Sequence, residues 1–578
     1  MNTNRKLGTI ARQALLLGVL TMLPAPARAD NPIVQTNYTA DPAPMVHEGI
    51  LYLYTSHDED VTVGNFYTMN DWRLYSTEDM VNWTDHGSPA GLRSFNWGTD
   101  SAWAPHGIAR NEQFYLYVPL NNNTGGRIGV GVSDNVAGPF TDPLGRDLAQ
   151  SSTSDIDPTV FIDDDGQAYM YWGNATLKYV RLNEDMISYA GTPTGVALPG
   201  FTEGPWFYKR ESLYYMIYAG LAGGTEKISY ATSDSPTGPW NTRGDIMGAG
   251  STFTNHAGVV DFKGHSYFFY HNSALPGGND FKRSVCVEEF SYAADGSIPQ
   301  LTMSANGPDA VATLNPFEQV EAETIAFSSG LETEACDDTG AGLNVTQIGA
   351  GDYIKVKNVD FLNGVTSFGA RVSSSGNDAS IELHLDSQAG TLLGACNVSG
   401  ASSWTTTTCP VSGGSGTHDL FLVFSGSGDD LFKFNWWKFT GPTMPTDEGA
   451  SGAVGAGGTG ADGTIGPAPA TGTDGTIGPA PATSTEGAGV DGESASASGG
   501  SGGGNTAMPM GSGGSDNGVG GGQRSDAEAA GSKSQSGCSV GPRHTGGGRS
   551  VAWGLVAACA FCLDRRRRDA RERLRAAS

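Results

Sequence analysis

The sequence predicts an all-β protein: a five-bladed β-propeller, then a β-sandwich jelly roll, a disordered linker and a short C-terminal hydrophobic helix. Three observations carry this. An apolar, tyrosine-rich strand recurs five times between residues 30 and 312. Apolar and polar residues then alternate between Gly and Ser turns over 315–440. Beyond that point large apolar side chains almost vanish until a short run near the end.

Residues 1–29 read as a signal peptide. Arg5, Lys6 and Arg12 make a basic start, Ala14 to Leu23 is apolar, and Ala27-Arg28-Ala29 is a small-x-small cleavage site. Export makes disulfides admissible. The propeller is expected over 30–312. Its recurring strand appears as LYLYTSHD, FYLYVPL, AYMYWGN, LYYMIYAG and SYFFYHN, closing on Tyr54, Tyr117, Tyr171, Tyr218 and Tyr270. The spacings of 63, 54, 47 and 52 residues fit one four-stranded blade each. A sandwich would not produce five units of matched length.

A second feature shares the period. A short strand opens near Asp41, Trp103, Asp157, Glu203 and His256, which stand 13, 14, 14, 15 and 14 residues before the closing tyrosines. The first strand of a blade lines the central channel, so equivalent positions converge on one axis. Three carboxylates, an indole and an imidazole are therefore expected at one funnel mouth.

Residues 315–440 are expected to form the sandwich, with IELHLD and DLFLVF as alternating strands. Residues 441–537 are Gly, Ala, Ser, Thr and Pro, with DGTIGPAPAT repeated at 462 and 474, and are expected to be a disordered linker. Residues 538–578 follow as a sorting or anchor segment. Gly537-Cys538 precedes an apolar run, Val551 to Leu563, and then Arg565 to Arg568. The expected location is secreted or held at a bacterial cell surface, with membrane contact through this tail only.

The chain carries 61 acidic and 34 basic residues, a net charge of −27. Such a surface repels phosphate backbones and excludes nucleic acid as a partner, but it does not oppose a neutral polysaccharide. No protein partner is indicated. Of seven cysteines, Cys396 and Cys409 are placed to pair within the sandwich, and Cys286 could reach Cys336 across the domain boundary, although sequence does not fix connectivity.

Convergent acids suit glycoside hydrolysis. One carboxyl group protonates the leaving oxygen and a second activates water or attacks carbon. A third raises the donor's pKa by like-charge repulsion. Asp41 and Glu203, two blades apart in a five-membered ring, leave room for water and favour inversion.

At these residues the propeller resembles glycoside hydrolase family 43. ADPAPMV, DIDPTVFIDDDG and TEGPWFYKR are where that family carries its acids. The resemblance implies Asp41 as general base, Asp157 as pKa modulator, Glu203 as general acid, and inversion. YTMNDWRLYS and TDSAWAPHG are similar to the arabinoxylan arabinofuranohydrolases of the family. It further implies Trp103, His256 and Arg283 as substrate contacts, with His256 near a channel metal such as calcium. The second domain resembles carbohydrate-binding module family 6. That implies calcium at Glu321, Glu323 and Asn435, and a sugar held between Tyr353 and Trp404. The sequence departs at Lys433, where a sugar-binding Asn is usual. The tail resembles myxobacterial C-terminal sorting signals, with Cys538 as the processed residue. The expected activity is an α-L-arabinofuranosidase debranching arabinoxylan in plant cell walls. The alternatives are a β-xylosidase or endo-arabinanase, and a non-catalytic surface glycan-binding protein.

Overall fold

The computed structural model describes residues 27–442, apart from 123, 124, 341, 375, 377, 401 and 429. The signal peptide up to residue 26, the linker, and the tail with its Cys538 and its expected hydrophobic helix lie outside the described residues. Within them the protein is all-β, with one 3₁₀ turn at Leu92–Ser94 and no α-helix. None of the described helices is long and apolar enough to cross a membrane.

Five antiparallel sheets follow one another as the repeats require, an arrangement consistent with a five-bladed propeller. The first contains Tyr38–His47, Ile50–Asp58, Asp71–Thr77 and Trp83–Asp85. The second contains His106–Arg110, Gln113–Asn122 and Gly125–Ser133; the third, Thr159–Ile162, Ala168–Trp172, Leu177–Leu182 and Tyr189–Val196. The fourth contains Glu203–Arg210, Leu213–Ala222, Thr225–Ser233 and Asn241–Met247. The fifth contains Gly258–Phe262, His265–Asn272 and Ser284–Phe290.

Two blades depart from the expected four strands. In the second, the outer strand is reduced to isolated bridges, Val132 to Thr141 and Ile128 to Ala149. In the fifth, the outer position is taken by chain from the N-terminal side: Ile33 N–H donates to Val285 O and Thr39 N–H to Arg283 O, both at 3.0 Å.

The five closing tyrosines are at most 2% exposed. Three of them stitch one blade to the next. Tyr54 Oη donates to Val136 O at 2.7 Å, Tyr117 Oη to Met186 O at 2.6 Å, and Tyr171 Oη to Pro236 O at 2.7 Å. Each ring fills apolar space while its hydroxyl satisfies a carbonyl that would otherwise be buried alone. Close packing also explains two glycines. A Cβ at Gly107 would lie 2.3 Å from the Tyr54 ring, and one at Gly258 would lie 2.4 Å from Pro44 Cδ.

The sandwich has two sheets. One orders Glu332–Ala335, Leu343–Thr346, Lys433–Thr440, Val365–Ser373 and Thr405–Gly413; the other orders Phe327–Ser329, Tyr353–Asp360, Thr417–Gly426, Ala379–Leu385 and Thr391–Val398. Alternate residues, among them Ile354, Val356, Leu383, Leu422, Phe368 and Trp437, fill the space between them. The disulfide Cys396–Cys409 joins the two sheets. The other pairing raised from sequence does not form. Cys286 is a free thiol buried in a central strand of the fifth blade, and Cys336 is also free.

The sandwich is bonded to the first blade. Thr324–Ile325, inside the span expected to be sandwich, extends the blade by pairing with Trp83–Asp85. Asn82 donates from Nδ2 to Lys357 O and accepts from Lys357 N–H, each at 2.8 Å.

Candidate active site

Asp41, Trp103, Asp157, Glu203, His256 and Arg283 all line one cavity of about 230 Å³. The backbone explains why they meet. Asp41 and Asp157 adopt left-handed φ values of 54° and 57°, and Gly204 after Glu203 has φ 60°. Asp tolerates this region better than most residues, at a cost of about 1–2 kcal/mol. The kinks turn the start of each first strand towards the cavity. A bulge between Ala40 and Ala43, and another between Glu203 and Trp206, mark the same bend in the ladders.

Asp41 is 6% exposed and surrounded by donors. Ser56 Oγ donates to its Oδ2 at 2.6 Å, and Arg283 Nη1 to its Oδ1 at 3.0 Å. The His271 and His256 Nδ1 atoms stand 3.6 and 4.0 Å away. Burial alone would raise its pKa, but Arg283, His271, His256 and Ser56 together bring it down to about 2. Asp41 is therefore ionised across the working range.

Arg283, which the resemblance implied as a substrate contact, lines the cavity and is also tied up in ion pairs. It is 3% exposed and forks between two carboxylates. Its Nε and Nη2 reach Asp58 at 2.9 Å while Nη1 reaches Asp41. Its guanidinium lies 4.6 Å over the Tyr67 ring. The same residue lines the cavity and helps to fix the charge of Asp41.

Asp157 is buried and accepts the Gly204 N–H at 3.0 Å. Burial, then the nearby charges of Glu203 and Asp41, push its carboxyl well above the usual range. Glu203 accepts a hydrogen bond from Asn174 Nδ2, and the buried Glu226 carboxyl lies near it. Burial raises its pKa. Two carboxyl groups shifted in opposite directions now face one cavity: Asp41 down, by Arg283 and its other partners, and Glu203 up, by burial. That is the acid and base pair that hydrolysis of an acetal requires.

Trp103 lines the cavity wall and its carbonyl accepts Trp72 Nε1–H at 2.6 Å. His256 is held neutral by burial. Among the described residues, the one group of three His, Cys, Asp or Glu side chains with metal-ligand spacing is His57, Glu59 and Asp71, so His256 lies outside it. In the sandwich, Tyr353 stacks with Phe327 and Phe421 in one sheet, while Trp404 precedes a strand of the other and donates to Asp337 at 2.6 Å. Lys433 is paired with Glu334 at 2.6 Å. Glu323 is buried with an Oε2 that has no partner, and burial, with Glu321 and Asp85 nearby, pushes its carboxyl well up. Glu321 accepts from Gln319, and Asn435 Nδ2 donates to Asp338 at 3.0 Å. The orphaned Oε2 is an oxygen donor of the kind a hard cation takes, and a bound cation would favour its ionised form.

Sequence reasoning missed Asp58, Asn174, Glu226 and His271. Three of them end the second strands already singled out, as LYLYTSHD, AYMYWGN and the His-Asn of SYFFYHN. In an antiparallel hairpin the end of the second strand lies beside the start of the first, as Tyr38 does to Asp58. Glu226 left no such signal.

A family model described as "Glycosyl hydrolases family 43" matches residues 29–298, and "Carbohydrate binding module (family 6)" matches 321–441. An arabinoxylan arabinofuranohydrolase of Bacillus subtilis is 35% identical over 71% of this chain and 92% of its own length. One of Paenibacillus polymyxa is 32% identical over 74% and 79%. The chain belongs to glycoside hydrolase family 43. It is a glycosidase. The crystal structure of a family 43 arabinoxylan arabinofuranohydrolase from Bacillus subtilis, in complex with cellotetraose, superposes with a TM-score of 0.64 at 34% identity, covering 71% of this chain and 97% of that one. A family 43 xylosidase/arabinosidase of Bacteroides ovatus is 32% identical over 46% of the chain and 95% of its own length.

Proposed function

We propose that the protein is an inverting α-L-arabinofuranosidase that removes side chains from arabinoxylan. The observation that carries this is that Asp41, Asp157 and Glu203 line one cavity, with Asp41 beside the Arg283 guanidinium and Glu203 beside a neutral amide. Asp41 takes a proton from a water that attacks the anomeric carbon. Glu203 gives its proton to the departing oxygen. Asp157 sits beside Glu203, accepting the Gly204 N–H, and its carboxyl is raised by burial and by the charge of Glu203. The substrate is inferred from relatives named for arabinoxylan and identical at 32–35%. Xylosidase activity is the second reading, because the Bacteroides ovatus relative is named for both sugars.

The five sheets are proposed to form a closed ring, supported by the hydrogen bonds of residues 33 and 39 to the last blade. The sandwich is proposed to hold the enzyme on its polymer. Calcium bound by Glu323 with Glu321, near Asn435, would supply the missing partner for the buried carboxylate and pin the start of that domain. The basic, apolar start of the sequence and its Gly-Cys, apolar, arginine-rich end support secretion and surface retention.

Product analysis on arabinoxylan, arabinan and xylo-oligosaccharides tests the reading. Arabinose released from arabinoxylan, first seen by proton NMR as the β-anomer, is expected. Xylose alone, or the α-anomer first, would sink it. Glu203→Gln is expected to lower kcat on the polysaccharide by about 10²–10⁴-fold.

A further inference from the structure

We propose that the leader is cut between Ala27 and Arg28 rather than after Ala29, so that Arg28–Asp30 stays in the mature protein as a strand of its fold. The inference rests on reading the first residues as an export leader. Two overlapping small-x-small triplets stand there, Ala25-Pro26-Ala27 and Ala27-Arg28-Ala29. Either satisfies a leader peptidase that needs small side chains at the first and third positions before its cut. Sequence alone does not choose between them, but the packing does.

Arg28–Asp30 pairs antiparallel with Asn306–Asp309, Arg28 opposite Asp309 and Asp30 opposite Asn306. Ala29 is 1% exposed and packs on Gly307, where a Cβ would lie 2.9 Å from the Ala29 methyl. The Arg28 carbonyl accepts a hydrogen bond from Lys357 Nζ of the sandwich. Lys357 is buried, and its ammonium also meets Asp30 Oδ2 at 2.8 Å, with Lys355 Nζ 3.5 Å from the same oxygen. Burial disfavours that ammonium and lowers its pKa, so it depends on these acceptors.

A cut after Ala29 would take away the Arg28 carbonyl and the buried methyl. It would also put an α-ammonium on Asp30, whose carboxylate already serves Lys355 and Lys357. A buried ammonium that loses an acceptor and gains a like charge nearby is destabilised. A cut after Ala27 costs the bond from Ala310 N–H to Ala27 O, 2.7 Å, at half-buried residues where water can replace it. The new α-ammonium then falls on Arg28, opposite Asp309, to which Arg28 Nε already donates at 2.7 Å. There the added cation faces a carboxylate instead of a buried lysine. In the cut, the bond from the Ala27 carbonyl carbon to the Arg28 nitrogen breaks. Water supplies the second oxygen of the Ala27 carboxylate, and both its protons go to the Arg28 nitrogen.

The test expresses the full chain with its own leader in a secreting bacterium and reads the N-terminus of the exported protein by stepwise degradation. A start of Arg28-Ala29-Asp30-Asn31 is expected. A start at Asp30, or at any other residue past the apolar run, overturns the inference, whereas a chain that keeps Met1 overturns the leader reading instead. Stability gives a second readout. Two chains running to residue 578 are released from an N-terminal fusion partner, one starting at Arg28 and the other at Asp30, and are melted side by side at neutral pH. The chain from Asp30 is expected to melt about 2 °C lower or more. Equal Tm values would show that residues 28 and 29 add nothing to the fold and overturn the inference. In a Lys357→Met background the difference is expected to shrink, because no ammonium then needs the Arg28 carbonyl. An undiminished difference overturns the part given to Lys357.

Discussion

Asp41 and Glu203 carry the same functional group and are shifted in opposite directions, and their neighbours say why. Asp41 has Arg283, two imidazoles and Ser56 around it; Glu203 has an amide and another carboxyl group. Replacing Arg283 with Met should leave Asp41 and Asp58 buried without their cation, at a cost of about 3–5 kcal/mol in urea unfolding. The acid limb of the rate profile should also move up, since Asp41 would then protonate more readily. Stability should depend on pH in both directions. Asp41 lies below its ordinary 3.8, so its contribution is present above that value and is lost as pH falls towards about 2. Asp157, Glu203 and Glu226 are raised, so their contribution is complete below the ordinary carboxylate range and is lost as pH rises through their folded values. Glu226→Gln should therefore raise Tm at mildly alkaline pH more than at acidic pH, in a series of thermal melts. The three acids were legible because they share a phase with the tyrosine strands. Glu226 was not, because a glutamate on a third strand looks like any solvated one until its burial is known.

At the scale of strands, the period of the tyrosines announced the blades because each ring has the same task, filling the space between neighbouring sheets. Tyr117→Phe should keep that packing and lose the bond to Met186 O, leaving a buried carbonyl short of a donor. A destabilisation of about 1–3 kcal/mol by urea titration is expected. The outer strands were less legible, because they face solvent and need no fixed pattern. That is why the second blade could dwindle to bridges and the fifth could take its edge from residues 31–39 without a trace in the spacing. In the sandwich, Cys396 and Cys409 were close enough in sequence to name as a pair. Replacing both with Ala should cost the sandwich about 3 kcal/mol, read from its own unfolding transition with and without reductant. Cys286 and Cys336 could not be resolved by counting alone, since spacing says nothing of which strand buries a thiol.

Across the whole molecule, the expected boundary between the two domains proved to be a seam bonded on both sides. Residues Thr324–Ile325 belong to the sandwich span yet lengthen the first blade, and Asn82 is bonded at both edges to the Lys357 backbone. Asn82→Ala should split a single calorimetric transition into two, because it removes bonds that make the domains unfold together. Hydrogen bonds across that seam depend on surfaces that no local pattern encodes. The pairing of Arg283 with Asp41 spans 242 positions of sequence. On a ribosome adding roughly 5–20 residues per second, Asp41 emerges some tens of seconds before its cation does. Until then the base has no partner to hold its charge and the last blade has no inner strands for residues 31–39 to join. A chain released early is a string of blades in which Asp41 lacks its cation, so the cavity is completed only when nearly the whole of this domain has been made.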